Sequence, residues 1–314
     1  MRALLVVNPK ATATSARVRD VLARALGSDL KLDVAETQRR GHAIELGARA
    51  TQEGYDLVVT LGGDGTVNEV INGILRDAPG GPQTEQPALA VVPGGSTNVF
   101  SRALGISRDP VEATSVLLDA LREDRSRWIG LGRLGSPGVS DRWFTFTAGM
   151  GLDADAVRMV ERARAKGRPA TPSRYTRATL GRFLFGTDRR HPAITLERPG
   201  EEPIPGVFLG IIGNTTPWTY FGEHPITLTT TATFDNGLDL LAMRRFGVIR
   251  TLYAASGMLT GHGARGKSAL ILRDLREFRL VADRPMHVEV DGDYLGEREI
   301  LTVHSVPAAI RVIC

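Results

Sequence analysis

Apolar and polar positions follow two different rhythms along this chain. In the first part, apolar runs at 3–7 ("ALLVV"), 30–36 ("LKLDVAE"), 56–61 ("DLVVTL") and 88–92 ("ALAVV") read as strands. Helical spacing fills 14–26, 42–53, 66–76 and the stretch to about 122. Strands alternating with helices predict a parallel sheet covered on both faces. The rhythm changes near 125–128. Short strand-like runs follow at 142–148, 206–213, 238–243, 269–273, 277–282 and 286–292, separated by turn residues. Such spacing predicts a mainly antiparallel sheet or sandwich, interrupted by helical patterns at 152–165, 173–185 and 247–258. The last run, 309–314, is expected to return to the first lobe.

Composition narrows the class. The 314 residues are 42 % hydrophobic and 24 % charged, an ordinary globular balance that can bury a core without disulfides or metal. The single cysteine is Cys314, which excludes a disulfide framework and fits a reducing compartment. No apolar run approaches the roughly 18 residues of a spanning helix, so a soluble, cytoplasmic chain is expected. Net charge is +4, and only four of the 39 basic residues are lysine. The total is therefore a weak argument for nucleic acid, and no nucleic-acid partner is expected. Distribution says more. Ten basic residues fall between Arg158 and Arg190, opposed only by Glu161 and Asp188, with Tyr175, Phe183 and Phe185 interleaved. An anionic membrane surface attracts such a segment, and a solvated helix face explains it equally well. The oligomeric state, a homo-oligomer included, is open.

Ligands of open α/β sheets bind at the carboxyl ends of the strands. Three of the early strands run into small, polar or turn-forming residues there: "NPKATATS" (8–15), "GGDGTVNEV" (62–70) and "PGGSTNVF" (93–100). Glycines let backbone N–H groups approach an anion, and a following helix adds its positive end. Three such loops at one sheet edge point to a nucleotide site. Other motifs compete. "GHGARGKS" (261–268) fits the P-loop pattern, with Lys267 and Ser268 in place, but a helical pattern precedes it and a strand follows. A P-loop needs strand, loop, helix. "GLGRLG" (130–135) and "GMGLDA" (149–154) fit dinucleotide-loop spacing outside the alternating region.

"LGGDGTVNEVINGI" (61–74) with "PGGSTNVFSRALGI" (93–106) resembles the diacylglycerol kinase catalytic-domain family, which includes bacterial diacylglycerol kinases and sphingosine kinases. "AGMGLDADAV" (148–157), "FDNGLD" (234–239) and "VDGDYLG" (290–296) extend the resemblance along the chain. It implies an α/β Rossmann-like lobe, 1–126 with the strand at about 304–314, and a β-sandwich lipid-substrate lobe, 127–303. It also implies ATP with Mg²⁺ between the lobes, at the GGDGT loop.

Carried over by motif, the nucleotide would meet Asn8, Thr37, Gly62, Gly63, Asp64, Gly65, Thr66 and Asn68, with Gly95, Ser96 and Asn98 nearby. Asp64 would organise Mg²⁺ through water. The family's catalytic base is the glutamate of a "DGE" segment. Here "DGD" puts Asp293 in that place, one methylene shorter, with Asp291 as a second candidate. Asp153 and Asp155 match the lipid head-group region. A structural Mg²⁺ site would use Asp235, Asn236 and the Leu238 carbonyl, although Asn236 replaces a carboxylate. Val99 stands where the family commonly has aspartate.

The expectation is a peripherally membrane-associated lipid kinase, with diacylglycerol the first substrate candidate and other lipid alcohols next. The basic 158–190 region is expected to dock on the membrane. The alternatives are a kinase of the NAD-kinase type and a nucleotide-binding protein that has lost catalysis.

Overall fold

The computed structural model describes residues 1–12, 14–76, 86–151, 191–245 and 248–314, the side chains of 248–252 excepted. The helical patterns at 152–165 and 173–185, and the basic segment at 158–190, lie outside the described residues. The chain divides into two compact units, Met1–Gly130 with Pro307–Cys314, and Leu131–Val306.

The first unit is α/β. Strands β1 (Arg2–Val7), β2 (Lys31–Glu36), β3 (Leu57–Gly62) and β4 (Ala88–Pro93) are parallel in the order β2-β1-β3-β4. β1, β3 and β4 are nearly unbroken apolar runs, as strands buried on both faces must be. Helices α1 (Ala16–Gly27) and α5 (Pro110–Arg122) cover one face, where Leu22, Leu26 and Leu117 pack on Leu5, Val59, Leu61 and Ala90. Each starts on a side-chain cap. Ser15 accepts from the Val18 N–H, and Asp109 accepts from Val111 and Glu112 just after Pro110 takes the first helical position. Helices α2 (His42–Gln52) and α3 (Asp64–Ile74) pack on each other and on β1 and β3.

The α2–α3 pair explains two features of the signature sequence. A Cβ on Gly73 would lie 2.2 Å from the Ile44 carbonyl oxygen and 2.8 Å from the Ala48 nitrogen, so glycine is what lets the helices approach. Gly41 gives α2 no side-chain cap, and Glu69 of α3 supplies one. Its Oε1 accepts from the Gly41 N–H at 2.8 Å and its Oε2 from the Ala43 N–H at 3.2 Å.

The second unit is mainly antiparallel. β15 (Glu277–Val290) lies between β16 (Asp293–Ile313) on one side and β7 (Thr147–Met150) and β8 (Ile194–Glu197) on the other. From β7 the sheet continues through β10 (Leu209–Gly213) and β13 (Leu238–Met243) to β14 (Ala269–Leu275), and β9 (Ile204–Val207) pairs with β8. One core gathers Phe144, Met150, Leu196, Leu240, Phe278, Leu280 and Leu301. The opposite face of β10 and β13 packs Ile211 and Leu241 on Trp218, Ile226 and Met258. Those last three come from the hairpin β11 (Thr219–Phe221) and β12 (His224–Ile226), its approach, and helix α6 (Val248–Leu259).

The pattern reading missed some strands here. "GLGRLG" lies in β5 (Ser126–Ser136), paired with β6 (Val139–Phe144). A Cβ on Gly132 would sit 1.9 Å from the Phe144 ring, so this glycine makes room for an aromatic ring. The runs at 277–282 and 286–292 form a single strand, irregular between Val281 and Met286. β16 begins at Asp293, and its far end brings Val312 parallel to Leu89 of β4.

Candidate active site

In the first unit, the ends of β1, β3 and β4 meet at two glycine loops. β3 and β4 pair out to Gly62 opposite Pro93, and the Gly94 N–H donates to the Gly62 carbonyl at 2.7 Å. The loops then touch backbone to backbone. A Cβ on Gly95 would lie 2.7 Å from the Gly63 Cα, and one on Gly94 3.1 Å from the Gly62 Cα. Any side chain at these positions would force the loops apart. Gly65 differs, because nothing lies within 4 Å of a Cβ placed there. It occupies the first turn of α3, where N–H groups have no acceptor inside their own helix.

Polar side chains tie the loops together. The Asp64 Oδ2 accepts from the Val99 N–H and its Oδ1 from the Phe100 N–H, both at 3.0 Å. The carboxylate thus joins the first glycine loop to the start of α4 (Val99–Ala103). Asn98 closes the second loop. Its Oδ1 accepts from the Gly95 N–H at 3.0 Å, and its Nδ2 donates to the Gly95 carbonyl at 2.8 Å. Asn98 is left-handed at φ 50°, a conformation that asparagine tolerates better than most residues. Asn8, just past β1, donates from Nδ2 to Thr66 Oγ1 at 3.1 Å and accepts from the Lys10 N–H at 3.0 Å. Thr37, just past β2, donates its N–H to the Val7 carbonyl at 2.8 Å. Asn68 is buried and accepts from Asn72 Nδ2, whereas Ser96 is exposed on the second loop. Sequence reasoning missed Thr14. Its hydroxyl is buried and has no hydrogen-bond partner, and it lies 2.6 Å from where a Gly94 Cβ would be.

In the second unit, Asp293 follows the turn that joins β15 to β16 and is half-buried. Asp291 holds that turn. Its Oδ2 accepts from the Thr145 N–H at 2.7 Å and from the Thr145 hydroxyl at 2.8 Å. Its Oδ1 accepts from the Phe146 and Thr147 N–H groups, both at 3.0 Å. Burial pushes the Asp291 carboxyl up from the ordinary carboxylate range, while the three N–H groups and the hydroxyl pull it down. Asp291 and Gly292 are both left-handed, φ 48° and 81°. Asn214 braces the same segment, donating from Nδ2 to the Thr145 carbonyl at 2.9 Å.

The remaining positions are less concentrated. Asp153 and Asp155 lie outside the described residues. Asp235 and Asn236 sit in an exposed turn ahead of Leu238. The carboxylate buried there is Asp239, which accepts from Thr231 Oγ1 at 2.6 Å and from the Asp274 N–H at 3.1 Å. Among the described residues, no group of three or more His, Cys, Asp or Glu could hold a metal ion. "GHGARGKS" runs from α6 into β14, so no helix begins behind it and Lys267 points to solvent.

The described residues thus form a parallel α/β unit ending in two interlocked glycine loops and a mainly antiparallel β unit. Residues 2–128 match the family model of the diacylglycerol kinase catalytic domain. A diacylglycerol kinase of Staphylococcus haemolyticus is 33 % identical over 115 residues, 37 % of this chain and 32 % of that protein. A probable YegS-like lipid kinase of Chromohalobacter salexigens is 34 % identical over 131 residues, 42 % of this chain and 39 % of that protein. The matched segment thus spans 32 % to 39 % of the length of these relatives. The fold likeness is wider: the crystal structure of a diacylglycerol kinase from Bacillus anthracis superposes at TM-score 0.70 and 18 % identity, covering 99 % of this chain and 96 % of that one. The N-terminal unit is thus similar to the diacylglycerol kinase catalytic domain, and the likeness in fold extends along the chain.

Proposed function

We propose that this protein is an ATP-dependent lipid kinase, with diacylglycerol as its first substrate candidate. The interlocked glycine loops carry the reading. Gly62, Gly63, Gly94 and Gly95 let the two loops close on each other, and Gly65 leaves the positive end of α3 open beside them. The Thr14 hydroxyl is a donor still lacking a partner at their edge. Such a cradle suits the phosphates of ATP.

The lipid hydroxyl attacks the γ-phosphorus, its proton passes to Asp293, and the bond to the β-phosphate oxygen breaks to release ADP. Asp291 holds the turn that presents Asp293, with its own oxygens engaged by Thr145, Phe146 and Thr147. Asp64 holds the two loops in register and would hold Mg²⁺ through water. That ion would neutralise charge on the transferring group. Among the described residues no helix is long and apolar enough to cross a membrane. The lipid would be presented by a membrane surface. The test supplies labelled ATP with micellar diacylglycerol or with NAD. Label appears in the lipid and not in NAD; the reverse would overturn the proposal.

A further inference from the structure

We infer that hairpin β11–β12, the exposed face of α6 and the 260–268 loop form one surface that docks on an anionic lipid membrane. The inference rests on the lipid-kinase reading for its purpose, but its evidence is separate. Three large apolar side chains are exposed here: Phe221 by 45 %, Tyr253 by 56 % and Leu259 by 39 %. They are neighbours. Phe221 pairs across the hairpin with His224, whose Nε2 meets the Leu259 carbonyl. The Tyr253 ring lies against Gly266, 3.1 Å from where a Cβ would be. Positions 253, 256, 259 and 260 are exposed along one face of α6 and its end, while Ala254, Ala255 and Met258 anchor the other face.

Cations surround this apolar strip. Arg265 crosses Gly257 of α6, with its Cγ 3.2 Å from a Cβ placed there. Lys267 follows it, and the Arg244 N–H donates to the Ser268 carbonyl at 2.8 Å, bringing Arg244 and Arg245 to the same loop. All four are exposed, and none makes an ion pair with a described residue. Glu223 is the only acidic residue in 219–226 and 253–268. Exposed apolar groups alone would suit a protein partner, and cations alone a nucleic acid. Large apolar side chains interleaved with unpaired cations suit the boundary of an anionic bilayer, where apolar groups enter the acyl region and cations meet the headgroups. This assigns "GHGARGKS" a use that needs no nucleotide.

Co-sedimentation with vesicles tests the surface. The wild type should bind phosphatidylglycerol-containing vesicles more tightly than phosphatidylcholine alone, and less so as salt rises. Arg265→Glu with Lys267→Glu should weaken that binding at least about tenfold. Tyr253→Ser with Leu259→Ser should also weaken it, with the unfolding temperature of both pairs near wild type. Undiminished binding by the charge-reversed protein overturns the inference. So does a wild type that binds polyuridylate in preference to vesicles. Wild-type turnover of micellar diacylglycerol, measured in parallel, judges the kinase reading separately: vesicle binding without turnover keeps the surface and removes the kinase.

Discussion

At the scale of single residues, the glycines of the first loop have different jobs. Gly63 lies against Gly95, whereas Gly65 faces open space. Gly65→Ala should therefore leave the unfolding temperature close to wild type. It should weaken ATP binding by about 1.5–3 kcal/mol, the worth of a hydrogen bond to a charged group, because the methyl blocks phosphate from the helix end. Gly95→Ala should lower both stability and affinity. Thermal melts and ATP titration of both variants check this contrast. Asp291 has a different sort of role. Asp291→Asn keeps the size but aims an amide donor at N–H or hydroxyl donors, so it should cost about 2–3 kcal/mol in urea unfolding. None of this was visible locally. Thr145 and Asp291 are 146 residues apart, and "DGD" on its own reads as an ordinary turn.

At the scale of elements, the alternating half was readable because its strands are continuous apolar runs and its loops are rich in glycine. Those loops sit at the strand ends, where the pattern put them. What the pattern could not show was how they are joined. Asp64 reaches Val99 and Phe100, and Glu69 reaches Gly41, through contacts that only tertiary folding creates. The start of α3 at Asp64, two residues before the periodic pattern begins at Thr66, follows from the same loop geometry. The antiparallel half was harder. β5 carries glycines at Gly130, Gly132 and Gly135, which erase the alternation a strand usually displays. For the α2–α3 pair, Gly73→Ala sets a helix-propensity gain of about 1 kcal/mol against a Cβ 2.2 Å from a carbonyl oxygen. Backbone overlap wins, so the variant should lose about 1–3 kcal/mol or more in urea unfolding.

At the scale of the whole molecule, the two units carry separate parts of one proposed reaction. The first holds the glycine cradle, and the second holds Asp293 on a turn fixed by Asp291. Sequence motifs pointed to both candidate parts, while burial and hydrogen bonding show why each keeps its shape. The most direct measurement is transfer of the γ-phosphate from labelled ATP to micellar diacylglycerol by purified wild type, Asp293→Ala and Asp293→Glu. Wild type and Asp293→Glu should label the lipid, while Asp293→Ala should bind ATP normally and transfer at least about a hundredfold more slowly. An Asp293→Ala protein as fast as wild type, or a wild type that binds ATP and labels no lipid alcohol, would contradict the account.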